Sequence, residues 1–498
     1  MTGWREKALV GAVAAIVFTT FTVQGIAAFF GIPILDGDAT YFSPCIVDLA
    51  TGRGLIHPFV SIIPNNPGRL CTWHGWLYPY LTALLPWSHS YQTIIVSNIA
   101  LCIIFFLISA TTLFLILKKS RALAALLCVP ITLLVLEQVG RPELVVTGLV
   151  ASAGIALTRF IRRNGETPVL AVLLGITATA SPSAGASYAM LTTALSALRS
   201  RTYKEFFYRT LSAALISVLT VLAFTLFLAP VGLSIWLIGM YNNAVTRYLY
   251  INEIYNWGEF MRYYVFNVKF PMLISYLFLG VFVLYIVIKT TTGWRKSFLI
   301  TLSLGLITYI YKVAIKSPEA NYNFALLIPA IVFTSAHLIE TESLFPQRPK
   351  YTLTQRLKYT AISMSGIAAI ALMYLNLTTF ISLAGVTQPE FEAGMKFLSD
   401  RPGIVETSMA FGVPLAEVIG YKRVTVNPDA HQESYIVLQQ ANSGSLIPRQ
   451  IPGFRIMVNR FIDKPPSLLG LRVANTRKDW SYAIYCRSDV CQQTAGPE

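Results

Sequence analysis

Charge is what this chain has least of. Of its 498 residues only 13% are Asp, Glu, Lys or Arg, against about 25% in soluble globular proteins. Hydrophobic residues make up 54%, and the mean hydropathy is +0.57. This balance excludes an ordinary soluble domain. Acids are the rarer sign, 24 against 39 basic residues, for a net charge of +15. Histidine and cysteine are sparse as well, at 5 and 6, and no C-x-x-C or Cys/His metal pattern occurs. Internal repeats and low-complexity tracts are missing too, so the chain is neither a solenoid nor a linker.

What the chain has instead is apolar length. Its hydrophobic residues fall into runs of roughly 15 to 25, each about enough to cross a ~30 Å hydrocarbon layer as a helix. The backbone within such runs must be helical, because lipid satisfies no peptide group. The expectation is a polytopic α-helical membrane protein of about eleven transmembrane helices. They fall at approximately 8–30, 91–117, 122–138, 143–158, 168–180, 184–198, 210–229, 270–288, 297–314, 324–340 and 359–383. The first run is too long for a signal peptide and no A-x-A-type site follows it, so it is expected to stay as a span.

Lys and Arg set the expected orientation. They crowd at Arg5 and Lys7, Lys118 to Arg121, Arg159 to Arg163, Arg199 to Arg209, Lys289 to Lys296 and Arg348 to Lys358. The alternate connections hold few: Arg53, Arg69, Arg141, Arg247, Arg262, Lys269, Lys312 and Lys316. This pattern predicts a cytoplasmic N-terminus, and the basic excess then faces anionic headgroups and calls for no nucleic acid. Cys45 and Cys71 share the first outer loop, and Cys486 and Cys491 share the C-terminal tail. Both pairs are candidate disulfides on an oxidising, extracytoplasmic side, as for a multi-pass protein of the inner membrane.

Two outer segments, 31–90 and 230–269, are too long to be mere connectors. The first contains an amphipathic piece, Trp76 to Leu85, expected along the membrane interface. The division expected is a transmembrane domain over 1–383 and a small extracytoplasmic α/β domain over 384–498. Within the latter, helices are predicted at Phe391–Leu398, Pro414–Ile419 and Glu433–Ala441. Strands are predicted at Ile404–Thr407, Arg423–Val426, Phe454–Asn459 and Ser481–Cys486.

The chemistry-bearing candidates gather in the outer loops. Ile34-Leu35-Asp36-Gly37-Asp38-Ala39-Thr40-Tyr41 places two carboxylates just past the first span. Either could be a solvated loop acid. Either could instead act as the general base that takes a proton from an attacking hydroxyl. A literal D-x-D could also hold a divalent cation against a phosphate through hard oxygen ligands. His57 and His74 share this loop. Arg141 and Glu143 flank Pro142, a pattern that also suits a helix start. Lys312, Lys316, Arg247, Arg262 and Lys269 are the outer cations able to meet a phosphate, and the guanidinium of Arg suits it better in a bidentate grip.

After Asp38 come Tyr41, then Leu49-Ala50-Thr51-Gly52-Arg53-Gly54, then Trp73-His74-Gly75-Trp76-Leu77-Tyr78-Pro79-Tyr80. This order, an acid ending the first span, a helix closing on Gly, then an aromatic-Pro segment entering a second helix, resembles the GT-C superfamily of integral-membrane glycosyltransferases. Protein O-mannosyltransferases and the aminoarabinose transferase of lipid A belong to it. Gly140-Arg141-Pro142-Glu143, Ser181-Pro182-Ser183 and Lys316 to Asn323, with Tyr322, extend the likeness. Many members show Asp-Glu-Ala-x-Tyr; here Gly37-Asp38-Ala39-Thr40-Tyr41 stands instead, which favours Asp38 as base and keeps Asp36 as the alternative.

The resemblance implies a catalytic acid in the first outer loop and a polyprenyl-phosphate sugar as donor. The acceptor would be a cell-surface lipid, glycan or protein. It further implies a second acidic site at Glu143 and Arg141; the donor-phosphate candidates are Lys312, Lys316, Arg247, Arg262 and Tyr322, and Tyr41, His57 and His74 are the candidate supports within the first loop. The alternative class is a transporter or lipid flippase, which calls for ionisable groups or broken helices near midplane.

Overall fold

A computed structural model describes residues 3–33, 39–59, 71, 75–118, 120–142, 144–145, 167–181, 185, 189, 192–193, 196–197, 200–239, 241, 281, 285, 292–304, 332, 336, 351–426, 433–439, 450–460, 467–468, 471–472 and 479–494. The helices that matter below are α1 (Gly3–Phe29), α2 (Ala39–Ala50), α3 (Leu77–Ala83), α4 (Ile94–Ile116), α5 (Arg121–Glu137), α6 (Thr167–Ala180), α7 (Tyr203–Leu228), α8 (Tyr351–Leu383), α9 (Gln388–Met395), α10 (Met409–Ile419) and α11 (Ser488–Thr494).

Among the described residues, four stretches are long and apolar enough to cross a bilayer: Glu6–Phe29, Ile94–Ile116, Tyr203–Leu228 and Tyr359–Leu398. They coincide with the runs expected at 8–30, 91–117, 210–229 and 359–383. At 1.5 Å per residue, α4 alone is about 34 Å long. Phe207, Leu211, Leu215, Leu219, Leu226 and Phe227 of α7 are all exposed, a face that water would penalise and lipid would not. The runs at 122–138 and 168–180 are helices of 17 and 14 residues, α5 and α6. The other expected spans fall largely outside the described residues.

The chain divides into two compact units. One comprises Met1–Thr19, Thr72–Tyr80 and Leu101–Leu372. Here α5, apolar around its whole circumference, is buried along nearly its full length, and the Cys102 thiol donates to the Val135 carbonyl at 3.2 Å. Helices α6 and α7 pack closely because Gly175 leaves room for the Ser217 backbone, while the Ser217 hydroxyl donates to the Ala171 carbonyl at 2.8 Å. Trp76 is buried, not spread on a surface, and its indole N–H reaches Thr225 Oγ1 at 3.2 Å.

The second unit comprises Thr20–Cys71, Leu81–Ala100 and Met373–Glu498. The ends of α1 and α8 pair through neutral polar groups. Gln24 donates to Thr379 Oγ1 at 2.9 Å and Asn376 donates to Thr20 Oγ1 at 3.0 Å. In an apolar setting such bonds replace the solvation that lipid cannot give.

The strands of this unit are β1 (Val405–Thr407), β2 (Val424–Thr425), β3 (Tyr435–Gln439), β4 (Phe454–Asn459), β5 (Ser467–Leu468), β6 (Leu471–Arg472) and β7 (Tyr482–Arg487). Five form a mixed sheet in the order β2-β1-β3-β7-β4, with β1 parallel to β2 and β3, and β7 antiparallel to β3 and β4. The helix expected at Glu433–Ala441 is instead the central strand β3. Tyr435, Ile436 and Val437 are buried in succession, because a strand covered on both faces loses its alternation and reads as a continuous apolar run. The helix expected at Pro414–Ile419 starts five residues earlier, at Met409, with Pro414 inside it, and the other predicted elements of the tail lie close to their expected bounds.

The core of this unit is aromatic. Phe391 of α9 lies 4.4 Å from Phe411, 5.2 Å from Trp480 and 5.3 Å from Tyr482, ring centre to ring centre. Trp480 and Phe411 stack at 5.5 Å with an 8° interplanar angle. Ala27 and Ile32 from the end of α1, and Tyr91 from the segment before α4, belong to the same core. The α/β tail thus shares one core with the turn after α1 and with the segment before α4.

Candidate functional site around the first loop helix

Helix α2 begins at Ala39, the residue after Asp38, and runs to Ala50. One face is apolar and buried, through Phe42, Cys45 and Ile46. It ends where the Gly52 N–H bonds to the Leu49 carbonyl, with Gly52 at φ +79°, a left-handed value that a side chain resists. The helix closing on Gly, expected from the sequence, is therefore present.

Both expected disulfides are formed. Cys45–Cys71 joins α2 to the far end of the first loop with Cα atoms 6.3 Å apart, and Cys486–Cys491 joins β7 to α11 with Cα atoms 5.9 Å apart. The first bridge is reinforced by the Cys71 N–H donating to the Leu55 carbonyl at 3.0 Å.

Tyr41, in the first turn of α2, has its ring centre 6.2 Å from that of His57. His57 is fully buried, and its Nδ1 accepts the Phe59 N–H at 3.1 Å. A neutral His57 then carries its proton on Nε2, a tautomer assigned from that bond. The geometry fits a loop-shaping role for His57. Phe59 in turn stacks on Tyr421 at 5.6 Å, which seats the first loop against the end of α10.

Arg141 lies in the half-buried turn after α5, where its N–H donates to the Gln138 carbonyl at 3.1 Å and its carbonyl accepts from Leu144 at 3.2 Å. Leu144 and Val145 after that turn are helical. Asp36, Asp38, His74, Glu143, Arg247, Arg262, Lys269, Lys312, Lys316 and Tyr322 lie outside the described residues, and so does the D-x-D cation site.

A group of ionisable residues not foreseen from the sequence surrounds the far end of α2. Asp48 Oδ1 sits 2.6 Å from Arg53 Nη2, and the Arg53 N–H also bonds the Asp48 carbonyl at 2.8 Å. Burial nevertheless pushes the Asp48 carboxyl up, against the pull of Arg53. Across from it stands Glu417 of α10, an exposed side chain whose carboxyl is pushed up to about 7 by the desolvating groups packed around it and by the Glu392 carboxylate, with the Tyr91 backbone N–H and Arg53 opposing. Gln92 donates to Glu392, and Tyr421, beside Glu417, is raised to about 12, chiefly by burial. Among the described residues no group of His, Cys, Asp and Glu is placed to hold a metal ion. These carboxyls and the Arg53 guanidinium form a partly desolvated charged group beside the end of α2.

Only one sign in the sequence pointed this way: Asp48 and Arg53 bracket the helix-closing glycine. The distances from residue 48 to 417 along the chain hide the rest. Compared with models of known protein families and with characterised proteins, the chain finds no match.

Proposed function

We propose that the protein is a membrane glycosyltransferase of the GT-C kind, with about eleven spans in the plasma (inner) membrane. In this reading the N-terminus is cytoplasmic and the α/β tail extracytoplasmic. It moves a sugar from a polyprenyl-phosphate donor to an envelope glycan, lipid or protein. The observation that supports this best is the place of the acid pair in the chain. Asp36 and Asp38 fall between the end of a membrane-length helix and a buried amphipathic helix that starts at the next residue and closes on Gly52.

In the reaction, the carboxylate of Asp38, or of Asp36, takes the proton of the acceptor hydroxyl. The hydroxyl oxygen forms a bond to the anomeric carbon. The bond from that carbon to the phosphate oxygen breaks, and its electron pair leaves with the prenyl phosphate. Inversion at the sugar follows from a single displacement. Lys312, Lys316, Arg247, Arg262 and Tyr322 are the proposed phosphate ligands, with Glu143 and Arg141 toward the acceptor.

The test is transfer from a purified prenyl-phosphate sugar into an envelope extract by Asp38→Asn and Asp36→Asn variants. Loss of a general base lowers the rate about 10²- to 10⁴-fold. Full transfer by both variants refutes the assignment. Mass spectrometry of surface glycans and lipids from cells with and without the protein identifies sugar and acceptor together.

A further inference from the structure

Two helices of the first unit bring cations and aromatic rings together where they start. Helix α7 starts at Tyr203 behind Thr202, whose hydroxyl accepts the Glu205 N–H at 3.2 Å. A second helix, described over 294–304, starts at Trp294 behind Gly293, which holds φ +63°. Aromatic rings join the two starts. Phe206, 7% exposed, lies 5.5 Å from Trp294 and 4.9 Å from Phe298, and Tyr203 meets the Trp294 ring edge-on at 5.9 Å. These shared rings bring Arg201 and Lys204 of one start and Arg295 and Lys296 of the other to the same end of the pair.

Glu205 is the only acid within 200–228 and 292–304, and it is already engaged. It accepts from Arg209 at 2.8 Å and from the Arg201 backbone N–H at 2.7 Å. Arg201, Lys204 and Lys296 are exposed and Arg295 is half-buried. Among the described residues none of these four side chains has a carboxylate partner. Further along, both helices expose apolar side chains: Phe207, Leu211 and Leu215 on α7, Ile300 and Leu304 on the other. Leu211 stands about 10 Å from Lys204 along the helix axis.

The order along the pair is cations, aromatic collar, apolar surface. A phospholipid in a bilayer presents phosphate, glycerol ester and acyl chain in that order. A lone cation at a span end snorkels to whatever headgroup is near. Four cations gathered by one ring cluster, with no acid to neutralise them, favour a negative headgroup. A free phosphate would meet the cations and leave the apolar side chains uncovered, whereas a lipid covers both.

We propose that the start of α7 and the 294–304 helix form a binding site for an anionic glycerophospholipid, its phosphate among Arg201, Lys204, Arg295 and Lys296 and its acyl chains along the apolar side chains beyond them. This inference is independent of the transfer reaction proposed above and of the side of the membrane that this end faces.

The test uses the full-length protein in phosphatidylcholine nanodiscs with increasing fractions of phosphatidylglycerol brominated near the carboxyl end of its acyl chains, which quenches indole on contact. Trp294→Phe supplies the background, so that the difference reports Trp294 alone. Half-maximal quenching of Trp294 is expected at a mole fraction about tenfold lower than with equally brominated phosphatidylcholine. Lys204→Gln, Arg295→Gln and Lys296→Gln together should remove that preference. Should the triple variant fail to fold, Lys204→Gln with Lys296→Gln, both at exposed positions, should cut it by about threefold or more. Lys7→Gln with Lys118→Gln, which removes exposed cations elsewhere in the same unit, should leave it within about twofold. Equal quenching by the two lipids, a preference kept by the folded site variant, or an equal loss in the Lys7 and Lys118 control each overturns the proposal. Quenching relieved by inorganic phosphate, but not by chloride at matched ionic strength, assigns the cations to a free anion and overturns it as well.

Discussion

Gly31→Ala isolates the close approach on which the union of first loop and tail depends. Two costs should add. An alanine at φ +71° occupies the left-handed region, which costs an L-residue about 1–2 kcal/mol. Its Cβ also overlaps the Cβ and Oε1 of Gln388, and because the Cβ is fixed to α9 it cannot swing aside, so about 1–3 kcal/mol of overpacking follows. Gly52→Ala is the internal control. Its φ is +79°, but a Cβ there meets nothing within 4 Å among the described residues, so only the backbone cost applies. Thermal unfolding of the purified full-length protein by intrinsic fluorescence should show both falls. At about 2–4 °C per kcal/mol for a unit of this size, Gly52→Ala should fall by roughly 2–8 °C and Gly31→Ala by roughly 4–20 °C. Gly31→Asn should recover part of the backbone cost and none of the overlap, since Asn tolerates the left-handed region but carries a Cβ. Equal melting temperatures for Gly31→Ala and Gly52→Ala would refute the close approach of the turn to α9.

Phe391→Ala, which strips the centre of the aromatic core, should cost about 3–5 kcal/mol, whereas Phe391→Leu should cost markedly less; a loss under about 0.5 kcal/mol in the same melt would place the core elsewhere. Replacing Cys45 and Cys71 together by Ser opens a bridge with a sequence separation of 26 and should remove roughly 3–4 kcal/mol, with mass mapping under non-reducing conditions showing the parent's bridge. Glu417 binds a proton more tightly folded than unfolded, its value being about 7 against an ordinary 4.5, so the stability it contributes is fully present below about pH 4.5 and lost as pH rises toward 7. Glu417→Gln should therefore melt like the parent near pH 4.5 and above it near pH 8, by less than about 1 kcal/mol because solvent screens this surface carboxyl; parallel melting-versus-pH curves for the two proteins would sink that assignment.

What was legible in the sequence was whatever depends on local pattern. The long apolar runs of α1, α4, α7 and α8 could be read because lipid demands a helix of fixed length, and β4 could be read within its bounds because Phe454 to Asn459 is short and flanked by turns. The disulfides could be read because four of the six cysteines fall two to a segment outside the apolar runs. Strand β3 was misread as a helix, since Tyr435-Ile436-Val437-Leu438 has no alternation to betray a central strand. The core of Phe391, Phe411 and Trp480, the Gly31 contact and the Asp48–Glu417 seam were out of reach for a different reason. The Gly31 contact and the Asp48–Glu417 seam join residues hundreds of positions apart, the aromatic core joins separate elements of the tail, and no single-chain periodicity carries that information.

The distribution of charge bears on the choice between surface chemistry and passage through the membrane. In α1, α7 and α8 the charged residues stand in the N-terminal turns, and α4 has none. Where α1 and α8 do meet through polar groups, the partners are Gln24, Asn376, Thr20 and Thr379, which are neutral and have no proton or charge to trade along a transport path. A carrier needs ionisable groups or broken helices inside its spans to couple movement to an ion. Beyond the apolar parts of α1 and α8, Asp48 and Arg53 at the end of α2 face Glu417 of α10 and Glu392 of α9. The same body holds the turn that leads to Asp36 and Asp38. The transfer proposed above would draw its donor from the lipid side and its acceptor from the water side, and so would need no conduit between them.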